Sequence, residues 1–394
     1  MSAREAAPGG EQLRRPRSLE LDALRGIAIL LVLLHHPQLD PRWFSGGLQP
    51  VALALRRFAW SGVDLFFVLS GFLVGGLLLD ELSRTGALDA RRFLVRRAFK
   101  IWPSYLVLVA WIFVSESQAG WVDGLRATLP NLLHVQNYLG TPRMPTWSLA
   151  VEEHFYLVLP FVLRALVVPE LRGRRAWFPA FFVAVAVLCL GLRARLAVQG
   201  VYDGPRIFFP THLRIDSLLF GVLLAWAHHL RPQWLAIGRH RRALVLVGIA
   251  LLSPMFFVEA SAGPFVATVG FTLLYLGYGA ILIAAVAPRT TPPRAARRLV
   301  RAIAAVGTVS YPMYLWFVDI GLSLPMLGVP RRPPDWLRLQ GVSNSIEQAG
   351  WWLLTQLLYV SVTVAVGTLA AMVVERPFLA LRERWFPSRA EIAP

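Results

Sequence analysis

The sequence predicts an all-α protein, a polytopic membrane bundle of about ten transmembrane helices. Three observations carry that expectation. Of the 394 residues, 56% are hydrophobic, above the roughly 45–50% typical of soluble domains, and mean hydropathy is +0.53. Apolar runs long enough to cross a bilayer, about 17–25 residues each, recur from end to end. The cations gather in short segments between those runs.

Taken in order, the runs place spans near 21–37, 59–80, 101–116, 148–168, 177–197, 208–229, 243–259, 265–287, 303–324 and 350–374. A polar tail at 1–18 precedes a membrane domain at 19–378, and a short tail at 379–394 follows it. The first tail has no apolar core and no small-residue cleavage site, so it does not read as a signal peptide. Between the third and fourth spans, GLRATLPNLLHVQNYLG suggests a short interfacial helix. With the N-terminus inside, 27 of the 40 Lys and Arg fall in inside segments and 11 in outside segments. Arg25 and Arg214 are placed within spans. That bias predicts ten spans with both termini cytoplasmic.

Composition also excludes functions. The net charge of +17 follows from topology rather than from a basic face for nucleic acid. One cysteine, Cys189, permits no intramolecular disulfide. Glu152-Glu153-His154 has no metal-ligand spacing, so no metal is expected.

The polar residues inside the spans point to function, because a charge at the centre of a membrane helix costs about 2.5–3.5 kcal/mol. In LDALRGIAILLVLLHH, Arg25 and His36 lie eleven residues apart. At 100° per residue they share one face, roughly 16 Å apart along the axis. A fixed cation thus stands near the inner surface, with an imidazole suited to general-base work deeper in. Asp64, in GVDLFFVLSGFL, is a partner for a histidine or a helix-start carboxylate held by the macrodipole. The small residues Ser70, Gly71, Gly75 and Gly76 suit close helix approach or leave space for a substrate. In RRFLVRRAFKIWP, Arg97 and Lys100 share a face, reading either as topology and lipid contact or as a phosphate site. In PTWSLAVEEHFYLVLP, Ser148, Glu152 and Tyr156 recur every four residues on one face. His212 and Arg214 open span six, and Arg214 has Asp216 or another carboxylate as its expected partner. Ser310, Tyr311 and Tyr314 lie on the ninth span's inner half beside Pro312, which suggests a break lining a cavity. Glu375 and Arg376 read as a surface anchor.

These segments, in this order, resemble the acyltransferase-3 family of bacterial integral membrane O-acyltransferases over nearly the whole chain, roughly Ser18 to Phe378. The resemblance implies that Arg25 and His36 form the family's arginine–ten residues–histidine motif, with His36 catalytic. Arg97 and Lys100 fall on its second basic motif, with lysine in place of the second arginine, which keeps charge and loses bidentate geometry. Trp147 to Tyr156 fall on its WSL-x-VE-x-x-FY segment, Glu152 matching the glutamate. The chain looks like a stand-alone form without a C-terminal esterase-like domain.

The resulting expectation is an enzyme of the bacterial inner membrane that moves an acyl group, by family habit acetyl, from cytoplasmic acyl-CoA to a hydroxyl of an envelope glycan, lipid-linked saccharide or glycosylated metabolite. No cofactor is bound permanently; acyl-CoA is the donor substrate. Arg25, Arg97 and Lys100 bind its phosphates, His36 is the base, and Glu152 or Asp64 orients it. Trp147, Ser148, Tyr156, His212, Arg214, Ser310 and Tyr311 line the substrate site. Direct transfer and a covalent acyl-histidine both stay open. The rival is a transporter of a polar or acidic solute, which would explain intramembrane charges but not the cation cluster beside the histidine stripe.

Overall fold

The computed structural model describes residues 18–36, 40, 48–259, 263–287, 294–329 and 345–387. The tail expected at 1–18 lies outside them apart from Ser18, as do residues 388–394. Among the described residues every element is helical. In chain order they are α1 (Leu19–His35), α2 (Gln49–Ala59), α3 (Gly62–Thr85), α4 (Ala90–Glu116), α5 (Trp121–Leu132) and α6 (Gln136–Leu139). Next come α7 (Trp147–Leu171), α8 (Phe178–Val198), α9 (Ile215–Leu230), α10 (Arg241–Leu252) and α11 (Phe271–Val286). Last are α12 (Arg294–Thr308), α13 (Ser310–Ser323), α14 (Ser345–Ala370) and α15 (Arg376–Trp385).

Each expected span coincides with a helix, but the count of ten is not confirmed. Six described helical stretches are long and apolar enough to cross a membrane, seven if the bent pair α12–α13 is one span. The others fall short for local reasons. α1 has 17 residues and carries Glu20, Asp22 and Arg25, while α9 has 16 and α10 has 12. The expected interfacial helix is α5, whose Trp121, Val122, Leu129 and Leu133 flank are exposed.

Close crossings hold the bundle together. Gly71 and Gly221 put α3 against α9: a Cβ on Gly71 would meet the Leu218 carbonyl, and one on Gly221 the Val68 carbonyl. Gly26 and Gly307 do the same for α1 and α12. Without a hydrophobic drive between helices in lipid, such backbone approach is what association rests on. Gly71 and Gly75 are therefore the packing residues expected; Ser70 is not, as its hydroxyl bonds across to α7.

Two charge assignments change. The cations of RRFLVRRAFK do not precede a span. Asp89 caps α4, its carboxylate accepting from the Arg92 N–H at 3.0 Å, and the helix runs unbroken from Ala90 to Glu116. Arg193, counted among the outside cations, lies in the buried part of α8 and is ion-paired to Asp216 at 2.8 Å.

Candidate active site

One face of α3 sets the length of the site. Val63, Phe66, Ser70, Leu73, Leu77 and Asp80 recur at helical spacing, and all line one cavity of about 880 Å³. Seventeen residues separate the first from the last, roughly 26 Å of helix axis, so the cavity runs most of the way along the bundle. Ser18, Asp22, Tyr105, His134, Ser148 and Glu375 also line the cavity.

Three cations meet in its middle section: Arg25 of α1, with Arg97 and Lys100 of α4. Helical spacing divides the α4 run between two jobs. Arg92 and Arg96, four residues apart, turn toward α15, where Arg96 pairs with Glu383 at 3.1 Å and both guanidinium groups donate to the carbonyls of Phe386 and Pro387. Arg97 and Lys100 turn into the cavity instead. Among the described residues Arg25, Arg97 and Lys100 make no hydrogen bond or ion pair. Arg97 lies over the Tyr156 ring at 4.3 Å, and its Nε is buried without a partner. Lys100 is within electrostatic reach of Arg25 and Arg97, with Glu375 as the nearby carboxylate. Like charges gathered in a low-dielectric space without direct counterions are costly and suit an anionic ligand.

A hydrogen-bonded line borders the cations. Tyr156 Oη donates to Glu152 Oε2 at 3.0 Å and bonds Ser70 Oγ at 2.5 Å. Since the phenol proton goes to the carboxylate, Ser70 donates to Tyr156. A second line runs from Ser148 Oγ to Tyr314 Oη (2.7 Å) and on to the Pro145 carbonyl (2.8 Å). The break expected near Pro312 is a 72° bend between α12 and α13. It turns Ser310 and Tyr311 into the cavity wall, and Tyr311 Oη donates to the Ile101 carbonyl at 2.9 Å.

Comparison with known proteins gives the family. The profile of a family described as an acyltransferase domain, acyltransferase-3, matches residues 18–374. The chain belongs to the acyltransferase-3 family. It is 27% identical over 333 residues to O-acetyltransferase OatA of Staphylococcus aureus strain NCTC 8325, covering 79% of this chain and 52% of that protein. A putative O-acetyltransferase of S. aureus strain COL is 26% identical over 320 residues, covering 75% of this chain and 49% of that protein. The chain thus spans about half the length of these curated relatives. No solved structure matches it significantly.

The site residues expected from the sequence divide in this structure. Arg25, Arg97, Lys100, Glu152, Tyr156, Ser148, Ser310 and Tyr311 line the cavity. His36 stands one ring beyond its wall. It caps the end of α1, and its ring lies edge-on to Phe317 at 5.0 Å, itself 5.7 Å from the cavity-lining Tyr314. His36 Nδ1 is 3.0 Å from the Val32 carbonyl. A carbonyl only accepts, so Nδ1 holds the proton and Nε2 keeps a lone pair. No described carboxylate bonds His36.

Asp64 is paired with Arg214 at 2.5 Å, not with a histidine, and both are almost wholly buried. Beside them Arg193 bonds Asp216 and the Leu213 carbonyl (2.6 Å), and Arg214 lies 3.8 Å over the Phe271 ring. Two cations and two carboxylates buried together neutralise one another, which takes Asp64 and Arg214 away from the cavity. Trp147 is packed, stacked on Phe209 at 4.9 Å. His212 stacks on Tyr138 at 6.0 Å, away from the cavity lining.

The sequence marked the other cavity residues unevenly. Glu375 read as a surface anchor, yet it lines the wall, and Ser70 takes the substrate-space reading rather than the packing one. Tyr314, expected beside Ser310 and Tyr311 near the Pro312 break, also lines it. The adjacent carboxylates Glu152 and Glu153 stood out at the start of the fourth span, whereas His134 carried no signal.

Proposed function

We propose that the protein is an acyl-CoA-dependent membrane O-acyltransferase that transfers an acyl group, acetyl in the simplest case, to a saccharide hydroxyl. The observation that carries this reading is the long cavity with Arg25, Arg97 and Lys100 unpaired beside the Ser70–Tyr156–Glu152 line. The cations hold the donor's phosphates by charge-assisted bonds. With the α1 start on the cytoplasmic side of a bacterial inner membrane, as the cation bias favours, the donor enters there and the acceptor from the opposite end or from the bilayer.

His36 is the general base. Val32 fixes its tautomer, so Nε2 takes the proton from the acceptor hydroxyl. The hydroxyl oxygen attacks the thioester carbonyl, a C–O bond forms, and the C–S bond breaks. The departing thiolate then takes the proton from the imidazolium and leaves as free CoA. For the thioester to meet Nε2, the Phe317 ring swings aside, since it stands between His36 and Tyr314. Glu152, held by Tyr156, sets the electrostatics of the cavity centre between Arg25 and Arg97. Family membership favours transfer over the transport of a polar solute.

Acetyl-CoA binding tests the donor assignment. Ligand at about 100 Kd should stabilise the purified protein by roughly 2.7 kcal/mol, and an Arg97→Ala, Lys100→Ala double variant should lose most of that gain. Equal stabilisation of the double variant would remove the phosphate role from these residues.

A further inference from the structure

Where α5 gives way to α6, the cavity wall is built differently. α5 stops at Leu132, and the chain turns at His134 with φ +54°, the one left-handed non-glycine among the described residues. A side chain there costs roughly 1–2 kcal/mol relative to a permissive residue, so the turn alone would favour glycine. The imidazole is nevertheless held firmly. It stacks on Tyr105 at 4.9 Å and 19°. Tyr105 Oη in turn donates to the Asn131 carbonyl (2.9 Å) and accepts from Gln136 Nε2 (3.1 Å), pinning both flanks of the turn. His134 lines the cavity, and its buried Nδ1 has no partner.

Glu153 lines the same cavity. Trp102 Nε1 donates to its Oε2 at 3.3 Å, and Oε1 makes no bond among the described residues. The Trp102 ring also lies 6.0 Å from the His134 ring, so one indole adjoins both polar groups. An anchored imidazole and an anchored carboxylate, each with hydrogen-bonding capacity unspent, suit a neutral ligand rich in hydroxyls. The carboxylate disfavours an anion, which the cations further along the cavity favour.

We propose that His134 and Glu153 form an acceptor subsite that binds hydroxyls of a neutral saccharide, with Tyr105 and Trp102 as the residues that position them. This rests on the acyltransferase reading above. His134 and Glu153 accept from or donate to sugar hydroxyls, and so select the acceptor without touching the donor's phosphates.

The test is protection at position 134. Cys189, the single cysteine, is replaced by Ala, and His134→Cys is labelled with a small maleimide in the full-length protein in detergent. Millimolar chitotetraose or maltotetraose should slow labelling at least fivefold, and acetyl-CoA should slow it less than twofold. Protection by acetyl-CoA with none by either saccharide would overturn the assignment, and so would protection by nothing. A His134→Gly variant relieves the backbone while removing the imidazole. It should raise the KM for whichever saccharide protects at least tenfold, with the KM for acetyl-CoA within twofold. A fall in kcat alone would instead indicate a role away from acceptor binding. Failure of acetyl-CoA to bind or be cleaved would speak against the enzyme reading; failure of saccharide protection speaks against this subsite alone.

Discussion

Replacing Asp64 by alanine should unfold the protein more readily rather than remove a catalytic group. The Asp64 carboxylate bonds Arg214 at 2.5 Å, and both side chains are about 1% exposed. Truncation leaves a guanidinium in the bundle core with Asp216 already bonded to Arg193. Stranding a buried charge in this way costs about 3–5 kcal/mol. On the scale of domains of 150–250 residues that is a fall in Tm of roughly 6–20 °C. The assay is the fraction of monodisperse protein after heating in detergent. Asp64→Leu combined with Arg214→Met removes both charges and should recover most of the loss, giving a coupling energy above about 2 kcal/mol in a double-mutant cycle. If Asp64→Ala kept its Tm within about 2 °C yet abolished thioester cleavage, the structural assignment would be refuted and Asp64 would belong to the chemistry.

Three other outcomes follow from the site. Arg97→Ala removes one charge-assisted contact worth about 1.5–3 kcal/mol, so the KM for acetyl-CoA should rise roughly 10- to 150-fold in steady-state assays; an unchanged KM would clear Arg97 of donor binding. Tyr156→Phe removes the donor to Glu152 and the acceptor for Ser70; turnover should fall at least tenfold with a Tm within a few degrees, and wild-type turnover would count against the hydrogen-bonded line. The His134 turn also sets a pH dependence. Burial, with His154 nearby, brings the His134 pKa down to about 4 from 6.5. Below pH 6.5 the unfolded chain therefore takes up the proton first, and stability falls as pH drops toward 4. Tyr105, Trp102 and Glu153 flank the ring in that range. His134→Asn, which tolerates the left-handed turn, should lose less stability between those pH values than wild type does, by thermal denaturation at a pH series.

How far the sequence could be read depended on whether a property is periodic or pairwise. Apolar runs located a helix for each expected span, and periodicity put Ser148, Glu152 and Tyr156 on one face, because both depend only on residues a few places apart; α2, short and carrying Arg56 and Arg57, was not expected. Periodicity also gave Arg25 and His36 a common stripe. What it did not carry is the intervening Phe317, about 280 residues further along the chain. Pairing across the bundle was equally hidden. Asp64 meets Arg214 150 residues away, and Arg193 was taken for a loop cation because nothing local names Asp216 as its partner. The α4 cations misled for a different reason. A cluster of five reads as a span boundary, but four residues of spacing sends Arg92 and Arg96 to α15 while Arg97 and Lys100 turn inward. His134 left no trace, since a left-handed turn at a histidine is fixed by Tyr105 and the α5–α6 geometry rather than by a local motif.

The central claim is that an acyl thioester reaches His36 within the bundle. Release of free thiol from acetyl-CoA by purified protein, without acceptor, tests it most directly. The account predicts slow release by wild type and none by His36→Ala at unchanged Tm. Release by His36→Ala at the wild-type rate would contradict it.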